Sequence, residues 1–408
     1  MYNYDIAFLG GIFPKEYEEE IISNSKRYIQ NAANVLQWNI INGLDENLET
    51  PVKIINSVYI GAFPLLYKKL FIKTYKFSHK ENAEDINVGF CNLNGYKYFS
   101  RKAHLKPFLK KWALQKSEKK KVIVGYALTD TIIKSLLYIK KIDKSITTCI
   151  IVPDLPQYMN TSNRQPLVYS IFKKYDIKNI EKSIPRIDNF VLLTKQMNEY
   201  IKSKKFTVVE GIASKSPQKS FDEFCSGDRI ILYCGTLNER YGVRKLVDAF
   251  MQIKDKNYKL MICGEGDSRD YIIQCVAKNS NIIFKGLIPH DEVSRLQKQA
   301  TIVINPRQNC EEFTKFSFPS KNLEYLSSGT PLIAYKLDGI PDEYDNYIYY
   351  VNDNSVESLK NKIIEVCEKS NEELFNFGQK AYNFVVTYKN SKIQAKKILD
   401  LIYESQNG

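Results

Sequence analysis

Hydrophobic and polar positions alternate along the chain in blocks that predict two series of buried strands. In the first half, the short apolar runs that predict strands are 4–11, 52–64, 86–92, 121–127, 147–154 and 189–194. In the second half they are 228–235, 258–264, 281–286, 301–306 and 330–335. Segments with helical spacing, such as 16–34 and 321–328, separate most of these strands. Strands that are buried on both faces read as continuous apolar runs, so each half predicts a parallel sheet covered by helices.

The chain length and one polar stretch predict two domains. At 408 residues the chain is longer than a single ordinary core. The stretch ASKSPQKSFDEFCSG, residues 213–227, interrupts the pattern before it restarts. We therefore predict Rossmann-like domains over 1–210 and 228–373, an interdomain linker over 211–227, and a C-terminal helical segment over 374–408.

Composition narrows the class of protein. Hydrophobic and charged residues make up 44% and 26% of the chain, and no apolar run approaches the roughly 18 residues of a membrane span. The N-terminus MYNYDIAFLGG reads as a first strand rather than a signal peptide, so we expect a cytoplasmic protein. Eight cysteines are scattered without a CxxC pair, which predicts buried reduced thiols. The formal charge of +13 favours anionic partners, but charge alone does not choose among phosphates, nucleic acid and acidic lipid.

Candidate ligand-binding residues follow the predicted strands of the second half. Ligands of parallel sheets collect at the carboxyl ends of the strands, where loops and helix N-termini present backbone N–H groups. The ends CGT, CGEGD, KGLIPH and NPRQNCEEF contain the candidates Gly235, Thr236, Gly264, Gly266 and Leu287. A turn between strand and helix is the simpler explanation of any one glycine, whereas four such ends in register favour a binding site.

Four longer stretches of the second half are informative in combination: YCGTLNERYGVRKLVDAF (233–250), LMICGEGDSRDYI (260–272), IIFKGLIPHDEV (282–293) and FSFPSKNLEYLSSGTPLIAYKLDGIPDEY (316–344). Through them the second half resembles the nucleotide-sugar domain of the retaining glycosyltransferases of family 4, of the exopolysaccharide-biosynthesis type. The first half is similar more loosely, through GGIFP (10–14), VPDLPQYM (152–159) and FVLLTKQM (190–197).

The resemblance implies a fold and a division of labour. The expected fold is α/β, the GT-B fold, with two doubly wound parallel-sheet (Rossmann-like) domains facing a central cleft. Residues 1–210 would bind the acceptor, 228–373 would bind the nucleotide sugar, and 374–408 would cross back to the first domain.

In that family one helix carries two glutamates eight residues apart, the first facing the donor sugar and the second holding the ribose. Glu324 matches the second glutamate, whereas Phe316 stands at the position of the first. Glu311 or Glu312 would then have to reach the sugar instead. The alternative for Glu324 is a helix-surface ion pair with Lys321, three residues before it.

The family also places an arginine and a lysine on the diphosphate, at positions that read Thr236 and Tyr241 here. Arg240 and Lys321 are the candidate replacements, because positioned cations stabilise the charge of a departing diphosphate. The chain has no Asp-x-Asp pair to chelate magnesium, so we expect a metal-independent enzyme without a cofactor. The resemblance implies a nucleotide diphosphate sugar as donor, and we expect a UDP-linked one. Ser317 and Ser320 complete the predicted donor site of the second half.

The first half supplies further candidates with open alternatives. Gly10 and Gly11 would let backbone approach the donor phosphate or the acceptor, or would only turn the chain. Asp154 is the third catalytic candidate, and it would equally cap the following turn. The basic-aromatic segments 67–80 and 102–121 are predicted as helices that contact an acidic bilayer, or as helices packed by their aromatic residues.

The leading hypothesis is transfer of a sugar from a nucleotide diphosphate sugar to a glycan or lipid-linked acceptor, with retention of configuration, in surface polysaccharide synthesis. The alternatives are a sugar-nucleotide epimerase on the same fold and a non-catalytic GT-B subunit or basic binding protein. Nucleic acid is not an expected partner, because the basic residues spread over both halves without a recognised motif.

Overall fold

The computed structural model describes residues 2–26, 29, 31–158, 167–214, 219–224 and 227–407, with backbone alone for 167–172, 223 and 224. The chain forms two compact units. Unit 1 contains Met1–Ile212 and Ser391–Gly408, and unit 2 contains Ala213–Asn390.

The strands and helices follow each other in an alternating order. The strands are β1 (Tyr4–Gly10), β2 (Lys53–Asn56), β3 (Phe71–Ile72), β4 (Tyr75–Phe77), β5 (Asp85–Asn87), β6 (Phe90–Cys91), β7 (Lys120–Tyr126), β8 (Thr147–Val152), β9 (Asn189–Leu192), β10 (Phe206–Val208), β11 (Arg229–Cys234), β12 (Tyr258–Cys263), β13 (Ile282–Gly286), β14 (Ile302–Asn305), β15 (Leu332–Ala334) and β16 (Tyr349–Tyr350). The α-helices are α1 (Glu18–Asn24), α2 (Asn31–Asn47), α3 (Lys97–Leu114), α4 (Asp130–Ile142), α5 (Leu167–Ser183), α6 (Asn198–Ile201), α7 (Val243–Met251), α8 (Arg269–Lys278), α9 (His290–Gln299), α10 (Ser320–Ser327), α11 (Val356–Cys367), α12 (Asn371–Tyr388) and α13 (Ser391–Asn407).

Unit 1 is built on an eight-stranded sheet with the order β10-β9-β8-β7-β1-β2-β5-β4. Its strands pair in parallel except for β4, which runs antiparallel to β5 at one edge. Strands β3 and β6 form a separate antiparallel pair. The core lies between the sheet and its helices, and α13 packs there with its apolar side chains buried beside those of α2.

Unit 2 has a six-stranded parallel sheet with the order β13-β12-β11-β14-β15-β16. Numbered within the unit, this order is 3-2-1-4-5-6, the order of Rossmann folds. Helices α7, α8, α9 and α10 connect successive strands and bury their apolar side chains in one core with the sheet. The predicted α/β class with two doubly wound parallel sheets is therefore confirmed.

Two predictions about local structure in unit 1 are wrong. Residues 52–64 were predicted as one strand, but β2 ends at Asn56 and the chain turns inward, where Ser57 and Tyr59 donate to the carbonyls of Gly10 and Gly11. Residues 67–80 were predicted as a helix but contain the short strands β3 and β4, because their backbone pairs with β6 and β5.

The predicted helix over 16–34 is interrupted. A 3₁₀ turn at Lys15–Tyr17 leads into α1, which ends at Asn24, and α2 begins at Asn31. Polar side chains cause the early end, since those of Ser23 and Asn24 both bond the carbonyl of Glu20.

The predicted domain boundaries were residues 210, 227 and 373, but the chain passes between the two units at other residues. It leaves unit 1 after Ile212 and returns to it after Asn390. Helix α12 belongs to unit 2, because Leu374, Ala381 and Val385 are buried in the core of that unit. Only α13 returns to unit 1. Of the predicted linker, 215–218, 225 and 226 lie outside the described residues.

Two further expectations concern the cysteines, predicted as buried reduced thiols, and membrane-spanning helices, which were not expected. The seven cysteines in the described part are all free, and five of them are buried, while Cys91 is partly buried and Cys310 is exposed. Burial raises the pKa of the Cys149 thiol, which keeps it protonated. Among the described residues, no helix has both the length and the hydropathy that crossing a bilayer requires.

Candidate functional site

The candidate site lies in unit 2 where the strand order changes direction. From β11 the chain continues to β12 on one side, whereas β14 pairs with β11 on the other side. The register of β11 with β14 ends at Leu232 and Val303, before the carboxyl ends of the two strands. The loops that leave these strands, 235–242 and 306–317, therefore begin at the switch point where doubly wound folds bind their ligands.

Tyr325 connects helix α10 to the end of β11 at this switch point. Its side chain is fully buried, and its hydroxyl accepts from the Cys234 amide at 2.9 Å and donates to the Cys234 carbonyl at 3.0 Å. Burial raises the pKa of Tyr325 well above its usual value, so the hydroxyl stays neutral. One turn of α10 is thereby attached to the last residue of β11.

The loops after β11, β12 and β14 pack against each other at glycines. Gly242 has φ +80°, and a Cβ there would lie 2.0 Å from the carbonyl oxygen of Pro306. Gly264 has φ +133°, and its Cβ would lie 1.9 Å from the carbonyl oxygen of Gly235. At Gly266 the corresponding contact is with the carbonyl of Leu237, at 2.5 Å. Close loop packing accounts for Gly264 and Gly266 without a ligand.

Arg240 and Glu311, for which the sequence analysis predicted different roles, form an ion pair that joins the two loops. Arg240 lies in a 3₁₀ turn, Glu239–Tyr241, and its Nη2 is 2.6 Å from Oε2 of Glu311. The guanidinium also lies over the ring of Phe313, 4.4 Å from its centroid. Both side chains of the pair are partly exposed, so solvent and ligands can reach them.

A second arginine, Arg307, extends this cluster. Its guanidinium lies 4.7 Å from the ring centroid of Phe313 and 5.6 Å from that of Tyr241. Its Nη2 donates to Oγ of Ser317 at 2.6 Å. Phe313 therefore contacts two guanidinium groups, and this cluster of side chains carries the positive charges of Arg240 and Arg307 and the negative charge of Glu311.

Glu324 lies on α10 with both carboxylate oxygens engaged. Oε2 accepts from Nζ of Lys321 at 2.8 Å, and Oε1 accepts from Nε2 of Gln297 at 2.7 Å. Gln297 is buried, whereas Glu324 and Lys321 are partly exposed. An ionised carboxylate offers about four acceptor positions, so two remain after these bonds. The ion pair that sequence reasoning gave as the alternative for Glu324 is thus present, and it leaves capacity for a ligand.

The other predicted residues of unit 2 lie around these pairs. Glu312 is exposed at the start of the 3₁₀ helix Glu312–Phe316, and the ring of Phe316 is partly buried under Nζ of Lys315. Ser320 is exposed at the first position of α10. Thr236 is exposed, and its carbonyl accepts from the Tyr233 hydroxyl. Leu287 is exposed beyond β13.

Sequence reasoning did not find Arg307, Phe313 or Gln297. The signal for Arg307 was present in NPRQNCEEF, where it stands two residues after β14. Its contact with Tyr241 depends on the adjacency of β11 and β14, which hydrophobic periodicity does not reveal. Gln297 is in a polar helix, and only its buried bond to Glu324 distinguishes it.

The candidates in unit 1 lie at the ends of two strands, Gly10 and Gly11 at the end of β1 and Asp154 after β8. The amide of Gly11 donates to Oε1 of Gln37 at 2.9 Å, and a Cβ on Gly11 would overlap the ring of Tyr59. Gly10 is packed equally closely against Gln37 and Phe8. Both glycines are thus accounted for by internal packing. Asp154 is exposed just beyond β8. The pKa of Tyr126 is raised mainly because Tyr126 is buried, and in addition by the negative charge of Asp154.

The fold of the two units is that of the GT-B class. The structure is similar to sucrose-phosphate synthase from Thermosynechococcus elongatus, with a TM-score of 0.62, 14% identity and coverage of 99% of each chain. It is similar to HepE from Anabaena in complex with UDP, with a TM-score of 0.62, 11% identity and coverage of 98% of this chain and 100% of that one. At such identities the similarity shows the fold.

Two sequence comparisons concern part of the chain. Residues 215–384 match the family described as glycosyl transferases group 1, and this region falls within unit 2. An uncharacterized glycosyltransferase of Methanocaldococcus jannaschii is 28% identical over 117 residues. That match spans 28% of this chain and 28% of the relative.

Proposed function

We propose that the protein is a glycosyltransferase that transfers a hexose from a UDP-linked sugar to a glycan or lipid-linked acceptor, with retention of configuration, in surface polysaccharide synthesis. The observation that carries the proposal is the pair of cation–carboxylate contacts at the switch point of unit 2, Arg240 with Glu311 and Lys321 with Glu324. The match of residues 215–384 to glycosyl transferases group 1 supports the reaction class. The UDP bound by HepE supports the choice of donor.

In this proposal Glu324 holds the ribose of the donor. Two vicinal hydroxyls donate to the acceptor positions that Lys321 and Gln297 leave open. Gln297 is buried and holds the carboxylate in one orientation before the ligand arrives. Preorganisation of this kind reduces the entropy lost on binding.

The diphosphate takes the place of Glu311 as the partner of Arg240. Arginine binds phosphate oxygens with two parallel N–H donors, and Arg307 and Lys321 add positive charge from the neighbouring loop and helix. The N-terminus of α10 has no side-chain cap, so the backbone N–H groups of Ser320 and Lys321 are available to phosphate oxygens, whereas that of Asn322 donates to the Pro319 carbonyl. These groups supply the charge stabilisation that a metal ion provides elsewhere, which makes the proposed reaction metal-independent.

The exchange at Arg240 releases Glu311 toward the donor sugar. Glu311 rather than Glu312 is then the substitute for the glutamate that Phe316 replaces, because Glu311 already contacts the diphosphate-binding arginine. In a retaining reaction of this family's type, the acceptor oxygen bonds to the anomeric carbon on the face from which the diphosphate departs. The acceptor proton passes to the departing phosphate oxygen. Arg240 and Lys321 stabilise the negative charge that develops on that group.

The proposed acceptor domain is unit 1, with peripheral contact to a bilayer. Large apolar side chains are exposed near each other at Leu65, Phe71, Tyr96 and Phe99. Their segments are joined by backbone bonds from Phe63 to Asn92 and from Asn92 to Leu70. Lysines accompany these residues throughout 67–80 and 97–111, which suits an anionic lipid surface.

The proposal is tested by a thermal-shift screen of purified protein against nucleoside diphosphates and their sugars, followed by product analysis with the donor that binds. A ligand at about 100 times its dissociation constant adds about 2.7 kcal/mol to the free energy of unfolding, which a melting curve resolves. We expect UDP and one UDP-sugar to stabilise the protein and to be cleaved slowly to UDP and free sugar. Conversion of the donor to an isomeric UDP-sugar would identify an epimerase instead, and no binding by any donor would remove the proposal.

A further inference from the structure

Lys97 and Arg101 form a cationic pair at the carboxyl edge of the unit 1 sheet. They lie one turn apart on α3 and contact the loop 57–62, which follows β2. That loop is bonded to the ends of two other strands, through the Tyr59 amide to Gly11 after β1 and through the Tyr59 hydroxyl to Tyr126 at the end of β7. The pair therefore lies at the edge where parallel sheets bind ligands.

Arg101 is buried with few partners. Only 7% of its surface is exposed, and its Nη2 donates to the carbonyl of Val58. The guanidinium lies 4.1 Å from the ring centroid of Phe90 and 5.5 Å from that of Tyr59. Its Nε is buried and has no hydrogen-bond partner among the described residues. A guanidinium has five N–H donors, so most of its donor capacity is unused.

Lys97 adds a second charge beside it. Its Nζ donates to the carbonyl of Ile60 at 3.2 Å and lies 5.2 Å from the ring centroid of Tyr98. Burial, and then the charge of Arg101, lower the pKa of Lys97 to about 8. Burial also lowers the pKa of Arg101 to about 10. In the part of the chain that the structure describes, no carboxylate contributes to either environment.

Arg101 is buried and Lys97 is partly buried, and no carboxylate among the described residues compensates either charge. This arrangement is costly in an isolated protein, because neither carbonyls nor aromatic faces carry a compensating charge. Lys102, the residue after Arg101 on α3, is by contrast paired with a carboxylate, that of Asp130. The natural complement of the pair is a ligand with two negative charges. A phosphate group matches both the fork of Arg101 and the point charge of Lys97.

We propose that Lys97 and Arg101 bind a phosphate or diphosphate group of the acceptor. This inference rests on the proposed transferase function and names the class of its acceptor, an anionic phosphorylated molecule. The exposed rings of Tyr96, Tyr98 and Phe99 flank the pair at the surface and offer apolar area to the remainder of the acceptor. A lipid-linked diphosphate and a soluble phosphorylated glycan share this chemistry.

The test is calorimetric titration of the full chain with inorganic pyrophosphate while saturating UDP occupies the donor site. We expect the wild-type protein to bind pyrophosphate and Lys97→Met to bind it at least about tenfold more weakly, since a charge-assisted bond contributes about 1.5–3 kcal/mol. Lys102→Met on the same helix is the matched control and should bind as the wild type does. Arg101→Lys keeps the charge and should also bind about tenfold more weakly, because it loses the planar fork.

The possible results distinguish a failure of the proposed anion site from a failure of the proposed donor site. No pyrophosphate binding by UDP-saturated protein, or equal binding by the wild type and Lys97→Met, would overturn the anion site and leave the transferase proposal standing. If UDP does not bind at all, the same titration without UDP still tests Lys97. Binding to phosphatidylcholine vesicles that contain phosphatidic acid, reduced in Lys97→Met, would indicate a lipid headgroup. Pyrophosphate binding without vesicle binding would indicate a soluble phosphorylated acceptor.

Discussion

At the scale of single residues, Glu324 is the side chain for which we propose a structural and a ligand-binding role together. Its ion pair with Lys321 is a partly exposed contact at spacing i, i+3, which contributes about 0.5 kcal/mol or less to stability. The bond from the buried Gln297 has a different effect, because it fixes the direction of the carboxylate. We therefore infer that the positioning of Glu324 matters more for the proposed ribose binding than for folding.

We expect Glu324→Gln to weaken UDP binding about tenfold or more, because the neutral amide loses the charge that strengthens the ribose bonds. The melting temperature should change little. The matched control is Glu365→Gln, which removes the carboxylate of another i, i+3 pair, Lys362 with Glu365, on α11. Calorimetric titration with UDP compares the three proteins. Equal affinity in all three would show that Glu324 is only a surface ion-pair partner.

Sequence reasoning at this scale identified several residues and missed others for a physical reason. Glu324 and Lys321 are on one helix, so their distance follows from helical spacing, and the ion pair was foreseen as an alternative. The contact of Arg240 with Glu311 spans two loops that are 71 positions apart. Arg307 depends on the same loop packing. Such contacts follow from strand order, which a single sequence does not fix.

At the scale of secondary-structure elements, side-chain bonds hold the strands and helices in place where the backbone ladders end. Tyr325 bonds both backbone groups of Cys234 where β11 and β14 separate. His79 has the same role in unit 1, where it joins Asp45 of α2 to Asp85 of β5. Hydrophobic periodicity predicted the strands on either side of these bonds, but it extended β2 to residue 64 because 52–64 is mostly apolar.

We expect Tyr325→Phe to lower the free energy of unfolding of unit 2 by about 1–3 kcal/mol, because it leaves two buried backbone groups without a partner. Tyr388→Phe on α12 removes an exposed hydroxyl and should change stability by less than about 0.5 kcal/mol. Urea unfolding followed by far-ultraviolet circular dichroism measures both variants, since Trp38 and Trp112 both lie in unit 1 and their fluorescence reports that unit. Equal stabilities would mean that the Cys234 bonds make no net contribution.

The cluster of His79, Asp45 and Asp85 makes stability depend on pH. Burial alone would lower the pKa of His79, but the bonds to Asp45 and Asp85 and their charges outweigh it and raise the pKa from 6.5 to about 9. The folded state therefore holds a proton that the unfolded state releases near pH 6.5. This contribution to stability is fully present below pH 6.5 and is lost as the pH rises through about 9.

We expect the wild-type protein to lose about 3 kcal/mol of unfolding free energy between pH 6 and pH 9.5 through His79, whose side chain is only 2% exposed. Urea unfolding of unit 1 at the two values measures the loss. His79→Gln should lack this pH-dependent component, although it is less stable at pH 6. The same pH dependence in both proteins would assign the effect to other groups.

At the scale of the whole molecule, the chain passes twice between its units, and its last helix completes unit 1 rather than unit 2. Helix α13 buries Ala395, Ile398, Leu399 and Ile402 in the core of unit 1. Gly43 of α2 allows this packing, because a Cβ there would lie 2.1 Å from the carbonyl oxygen of Ser391. The periodicity of 374–408 predicted helices, but it did not show that the passage falls after Asn390.

We expect Gly43→Ala to displace α13 and to destabilise unit 1 by about 2 kcal/mol or more, as overpacking against backbone does. UDP binding in unit 2 should persist. Hydrogen exchange should show faster exchange in α2 and α13 and unchanged exchange in β11 to β15. Gly95→Ala is the control, because it adds the same methyl group at a position where no atom lies within 4 Å of the new Cβ. The φ of +80° at Gly95 adds local backbone strain to this variant. Unchanged exchange in α13 would contradict the packing account.

The central claim is that the switch point between β11 and β14 binds the nucleotide diphosphate of the donor. Hydrogen exchange of the full chain with and without saturating UDP tests it most directly, because it locates the site without assuming which residues bind. The account predicts slower exchange in 235–242, in 306–317 and in the first turn of α10, with the largest effect near Arg240 and Ser320. Protection confined to unit 1, or no protection at a concentration of UDP that stabilises the protein, would contradict it.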